Sequence, residues 1–287
     1  MALTQMTTTT QANWIPELWI GSVNAYFSKP EKLLAQSIDL TPRIMARGTY
    51  GRGDTANITL MTKQSCRTKT SGTASTFDAD TDDVASITFV ELYKAKVLEN
   101  VVKVQADPTL LDQKVEEAGK SVLRGMNTAV ATAIKAGTVT QTLEYDNTMS
   151  GPELLTVLGT LLDLDIVPAD GGVYLNCSTA FYKSLIELDD FVRYVNTGEP
   201  SPHRSGAVGN LLGIEVGHNN NWTDVGTTAE VTASIHVAEA VGWACTDGPK
   251  PWYQANDIRE LADLFAVSTI FGAGAAVDSG IINLINP

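Results

Sequence analysis

Cysteine is scarce in this 287-residue chain: Cys66, Cys177 and Cys245 stand far apart, and no two have CxxC spacing. That argues against a disulfide framework or a zinc site, and it is compatible with a reducing cytoplasm. Histidine is equally unpatterned, because His203, His218 and His236 are scattered and form no HExxH motif. Positive charge is short as well, with 20 Lys and Arg against 33 Asp and Glu and a net charge of −13. A tight grip on a phosphate backbone needs clustered cations, so this balance opposes one, although a container can surround DNA without gripping it. No apolar run approaches the roughly 20 residues of a membrane helix. The opening MALTQMTTTTQAN has neither a basic start nor an apolar stretch, so it reads as a flexible polar arm and not as a signal peptide. Without secretion, the sequons at Asn57, Asn176 and Asn221 carry no meaning.

What the chain does have is core material. Hydrophobic residues make up 44%, charged residues 18%, and mean hydropathy is near zero, which is the profile of a globular chain of one or two domains. The spacing of Ile15, Leu18, Trp19, Val23 and Phe27 predicts a helix closed by Pro30. Its short apolar face needs a partner surface. From about 43 to 92 the character changes. ANITLMTK and VASITFVELYKAKVL read as β-branched strands flanking a polar, turn-rich insert, QSCRTKTSGTASTFDADTDD. A long hairpin of this kind has little of its own to bury and is ordered by lying on something else. Its charges are segregated, with Lys63, Arg67 and Lys69 first and Asp78, Asp80, Asp82 and Asp83 after.

A long amphipathic helix is expected next. Asp107 is an N-cap candidate, Pro108 suits the first turn, and Leu111, Val115, Ala118, Val122, Met126 and Val130 recur every three or four residues up to a stop at Gly137. Ser150 to Glu153 is a capping-box pattern opening ELLTVLGTLLDLD. VYLNC reads as a buried strand, Ser178 precedes the helix AFYKSLIEL, and LLGIEVG, ASIHVAEAVGWAC and the C-terminal apolar stretch read as strands. There is no internal repeat.

The chemical motifs weigh little. Arg52-Gly53-Asp54 is turn chemistry outside any secreted context. FGAGAAVDSG resembles a dinucleotide-binding glycine run, but no βαβ unit follows it, so a bend between strands is the better reading. Ser178 and Ser205 lack a nucleophile elbow. Asp189–Asp190 and Asp78–Asp83 imitate paired catalytic carboxylates but read as solvated loop charge. His236 alternates with apolar residues as a strand position does. Cys177 and Cys245 sit in apolar strands and look inert, whereas Cys66 falls at the hairpin tip.

The order of parts is more informative than any single motif. IPELWIGSVNAYF, GRGDTANITL, ELYKAKVLENVVKVQADPTLLDQKVEEAGKSVLRGMN, VYLNCSTAFYKSLIELDDFV, the glycines Gly206 and Gly209, and LLGIEVGHNNN come in the order of a known shell protein. Taken together they resemble the major capsid (coat) protein family of tailed bacteriophages, with its Hong Kong 97-type fold. The resemblance implies an α+β fold with an N-terminal arm and short helix (1–42) and an extended β-hairpin loop (43–92). It also implies a peripheral domain with a long spine helix (93–148 and 246–274) and an axial domain (149–245 and 275–287).

The implied function is assembly without catalysis. Copies would form hexamers and pentamers of an icosahedral shell around the DNA genome, assembled in the bacterial host cytoplasm, with each hairpin lying over a neighbour. It implies no cofactor, metal or membrane, and only weak contact with the packaged DNA. A separate scaffolding protein and a portal are the expected partners, because the chain starts almost at the shell-forming part. Lys63, Arg67 and Lys69 are expected to meet an acidic surface nearby, with Asp112, Glu116 and Glu117 of a neighbour's spine helix as the candidates. Some relatives crosslink a hairpin lysine to an asparagine. No catalytic carboxylate or acceptor matches here, so that chemistry is not carried over to Lys63 or Lys69. Two other readings remain open: an encapsulin-type nanocompartment shell, and a soluble α/β enzyme using Asp189, Asp190 and His203 in an acidic cleft.

Overall fold

A computed structural model describes residues 32–46, 55–61, 68–72, 74, 82–99, 108–142, 150–168, 171–187, 209–222, 231–257 and 262–285. The predicted helix over 15–27, the Arg52-Gly53-Asp54 turn, Cys66, Asp189, Asp190 and His203 lie outside these residues. The chain divides into two compact units, which it enters and leaves repeatedly. The first comprises Met1–Asp54, Phe89–Lys135 and Gly242–Ala273, and the second Thr55–Thr88, Ala136–Val241 and Gly274–Pro287.

In the first unit a four-stranded sheet, in the order β1-β10-β11-β4, joins β1 (Ile38–Asp39), β10 (Val241–Asp257), β11 (Ala262–Ala275) and β4 (Val90–Glu99). The long helix is α3, Pro108–Lys135, about 42 Å at 1.5 Å per residue. Its predicted stripe is buried wherever it is described, at Ala118, Val122, Met126 and Val130, and widens to take in Leu123, Ala131 and Ile134. Leu92 of β4 packs within 3.6 Å of where a Cβ would sit on Gly125 of that helix. Two short helices, α1 (Lys32–Ala35) and α2 (Thr41–Ala46), are tied to β10. The Trp243 indole donates to the Leu34 carbonyl at 3.2 Å, and the Cys245 amide donates to Thr41 Oγ1 at 3.1 Å. Trp243 also stacks on Phe271 at 5.9 Å.

The second unit is built on a six-stranded mixed sheet, in the order β5-β12-β9-β6-β8-β7. Its strands are β5 (Val139–Thr142), β6 (Val173–Cys177), β7 (Asn210–Leu211), β8 (Ile214–His218), β9 (Val231–Val237) and β12 (Ile281–Ile285). One face is apolar. Leu175, Cys177, Ala233, Ile235, Ile282 and Leu284 pack with Leu154, Val157 and Leu161 of α4 (Gly151–Asp163) and with Phe181 and Leu185 of α5 (Thr179–Glu187). The α4 capping box forms as its sequence predicts: the Glu153 amide donates to Ser150 Oγ and the Ser150 amide donates to Glu153 Oε2. Ser178 similarly accepts from the Phe181 amide at the start of α5.

The opposite sheet face carries a buried polar row. Asn283, Ser234 and Asn176 are aligned across β12, β9 and β6. The Trp222 indole donates to Ser234 Oγ at 2.9 Å, Ser234 donates to Asn283 Oδ1 at 2.7 Å, and Asn283 Nδ2 donates to the Gly137 carbonyl at 2.8 Å. Gly137 follows α3 as expected, but it is not among the left-handed glycines, and its carbonyl serves this row. Nearby, Asp278 accepts from both the amide and the hydroxyl of Thr138.

Three expected strands are interrupted, each by a local cause. LLGIEVG turns at Leu212 (φ 53°) and Gly213 (φ 88°), so β7 and β8 form a tight hairpin. ASIHVAEAVGWAC breaks at a 3-10 turn, Ala238–Ala240, between β9 and β10. VASITFVELYKAKVL divides at Phe89, because β3 (Asp82–Thr88) pairs with β2 (Thr55–Met61) whereas β4 pairs with β11. FGAGAAVDSG leads from one strand to the next: Gly272 and Gly274 lie inside β11, and the chain turns at the 3-10 segment Asp278–Gly280 before β12.

Two stability predictions follow from this packing. Asn283→Leu strands the Gly137 carbonyl and the Ser234 hydroxyl, and is expected to cost about 2–3 kcal/mol in chemical unfolding of the protein. At buried Gly280 an added Cβ would sit 2.6 Å from the Ala240 Cβ. Gly280→Ala should therefore destabilise by about 1–3 kcal/mol, and Ala240→Gly in the same chain should recover part of that loss.

Candidate assembly surfaces

Among the described residues no group of three His, Cys, Asp or Glu is placed to hold a metal ion. His236 is buried in β9 with its ring 5.7 Å from Tyr174. His218, at the end of β8, lies 2.9 Å from the Thr179 hydroxyl. Cys177 is buried in β6, and half-buried Cys245 contacts Thr269 Oγ1 at 3.2 Å. Each belongs to its own strand environment. What the structure offers instead is surface.

The first surface is the β2–β3 ribbon, a two-stranded antiparallel sheet running in register from Thr55 opposite Thr88 to Met61 opposite Asp82. At its root Ile87 is buried, and Gly274 permits the approach. A Cβ at Gly274 would lie 3.2 Å from both Ile87 Cγ1 and the Ser86 carbonyl oxygen. Of the expected cationic tip, Lys69 is exposed in the described run, beside a turn with Gly72 at φ 88°. Lys63 and Arg67 lie outside the described residues.

The second surface is the acidic part of α3. Asp112 lies on this helix. Glu116 pairs with Lys120 at 2.9 Å and Glu117 with Arg124 at 2.9 Å, so both carboxylates are engaged by cations of their own helix. Exposed pairs of this kind contribute only a few tenths of a kcal/mol, so exchanging partners costs little.

The third was not visible in sequence. Residues directly opposite in an antiparallel pair share a face. Opposite β4, the β11 residues Phe265, Val267, Thr269 and Phe271 are buried on one face. On the other face, Tyr93, Ala95 and Val97 of β4 pair with Ser268, Ala266 and Leu264. Tyr93 is 71% exposed, and Val97 and Ile270 are exposed too. Trp252 of β10, 60% exposed, donates from its indole to Ser268 Oγ at 2.9 Å and so belongs to this face. An aromatic and aliphatic cluster of this kind on a sheet face marks a contact surface. In sequence, the signal is that one alternating side of ELYKAKVL carries Tyr93, Ala95 and Val97, whereas the other carries Lys94 and Lys96. A smaller counterpart lies on α4, where Leu155 and Leu162 are exposed on the side away from the core.

No family model matches this sequence, and no curated protein does. Solved structures do. The capsid of the cyanophage P-SCSP1u superposes with a TM-score of 0.66 at 16% identity, covering 88% of this chain and 86% of that one. A structure from Mycobacterium phage Che8 gives a TM-score of 0.68 at 12% identity over 88% and 90% of the two chains. A virus-like particle from Pyrococcus furiosus gives 0.56 at 12% identity over 93% and 95%. The chain thus has the Hong Kong 97-type capsid fold over nearly its whole length.

Proposed function

We propose that this chain is the major capsid protein of a tailed bacteriophage, a structural subunit and not an enzyme. The observation that carries this reading is the capsid fold spanning nearly nine-tenths of both chains, as with the cyanophage capsid. The physical properties of the subunit fit that use. A two-stranded ribbon is marginal in isolation, and an exposed aromatic sheet face is uncommon on a protein that stays alone. Both are resolved when many copies pack together, because each copy supplies the surface that the next one lacks.

In this reading hexamers and pentamers close an icosahedral shell, and each ribbon lies over a neighbour. The cationic residues Lys63, Arg67 and Lys69 set its register against acidic surface such as Asp112, Glu116 and Glu117. A net charge of −13 suits a wall that encloses DNA while contacting it weakly. Assembly takes place in the host cytoplasm with a separate scaffolding protein and a portal. A second reading, a shell of the nanocompartment type that holds protein cargo, is favoured by the likeness to the Pyrococcus furiosus virus-like particle.

Negative-stain microscopy of the chain, produced alone and together with its scaffolding partner, is expected to show rings or closed shells. A small soluble oligomer under both conditions would remove the shell reading. Nuclease-protected DNA inside particles recovered from infected cells separates the virion from a cargo compartment. Replacing Lys63 to Asp83 with a short turn should leave a folded subunit that forms no shells, whereas normal particles from that deletion would deny the ribbon its role.

A further inference from the structure

Resting on the shell-subunit reading, we infer that the open edge of β4 is completed in the assembly by strand β3 of a second copy, laid antiparallel with Asp82 opposite Lys94. The outer strands β1, β5 and β7 are only two, four and two residues long, so they present little backbone to a stranger. β4 differs. It is ten residues long, it is the last strand of its sheet, and among the described residues no strand pairs with its far side. Extended, this edge measures about 33 Å, and no described strand pairs with it. Exposed Tyr93 and Val97 stand along it, ready to cover an incoming strand.

The occupant follows from charge and connectivity. β4 with β4 of another copy is disfavoured, because every antiparallel register centred on Lys94 to Lys96 sets lysine opposite lysine. The chain's own β3 is excluded covalently, since Phe89 alone joins it to β4 and the tightest hairpin needs two residues. A second copy's β3 satisfies both constraints. Among the described residues it pairs on one side, with β2, and it begins with Asp82 and Asp83. With Asp82 opposite Lys94, Val84 falls opposite Leu92 and Ser86 opposite Val90, so charge meets charge and apolar meets apolar along the same face. Strand addition supplies affinity through backbone hydrogen bonds, and the paired charges fix the register.

Charge exchange tests this directly. Lys94→Glu and Asp82→Lys are each expected to lower particle yield about tenfold at fixed subunit concentration, with unfolding midpoints kept near that of the unaltered chain. The double variant Lys94→Glu/Asp82→Lys should return to within about twofold of the unaltered yield, since the pair is restored with its sign reversed. Amide exchange gives a second readout: β4 amides facing away from β11 should exchange quickly in the free subunit and become protected in particles. Single variants that assemble normally, or a double variant no better than either single, would overturn the β3–β4 assignment and leave the shell reading intact. Protection already complete in the free subunit would give the edge to the chain's own residues and overturn it too. An unaltered chain that never assembles would take down both readings.

Discussion

A β-ribbon of two strands cannot build a core, because both of its faces and both of its outer edges point away from itself. Everything distinctive about this subunit follows from that deficiency. The six-stranded sheet of the second unit is sealed by α4 and α5, and α3 buries a broad stripe beside β4, so each unit holds together on its own terms. Among the described residues, the β2–β3 ribbon is anchored at its root, where buried Ile87 sits against Gly274. A segment ordered in this way costs conformational entropy that its own contacts do not return. In the proposed shell the return comes from another surface, which an identical copy supplies at every repeat.

Much of the local structure was legible in the sequence. The 28-residue helix α3, the capping box at Ser150 and Glu153, the buried strand at Val173–Cys177 and the helix after Ser178 all announce themselves through periodicity and end signals that act within a few residues. The break at Phe89 does not, because its cause is that β3 and β4 have different partners, β2 and β11, the second of them more than 170 positions along the chain. The turn at Leu212–Gly213 was equally hidden, since leucine seldom takes a positive φ, and only the glycine hinted at it. The polar row of Trp222, Ser234 and Asn283 joins three segments through side-chain contacts that no spacing rule records.

The candidate surfaces divide along the same line. The charge segregation of the hairpin and the acidic stripe of α3 can be read from residue order. What residue order does not show is that Glu116 and Glu117 already hold Lys120 and Arg124, or that Tyr93, Val97 and Trp252 meet on one sheet face. The first fact weakens any account in which isolated surface charges bind copies together. The second supplies the apolar area that such charges lack.

Net charge makes the same choice from the opposite direction. Copies carrying −13 each repel one another, and in the proposed shell the repulsion grows with every subunit added. At physiological ionic strength the field of an exposed charge decays over about 8 Å, so the penalty is reduced between distant subunits but persists across touching ones. Attraction therefore has to be short-ranged and dense. Strand addition and aromatic burial both meet that requirement, acting only at contact and being insensitive to the field beyond it. Local ion pairs then serve a different purpose, which is to penalise the wrong register more than to strengthen the right one. In the proposed shell, an acidic subunit joined by backbone pairing and an apolar sheet face would repel its copies while apart and close only where geometry brings both surfaces to a partner at once.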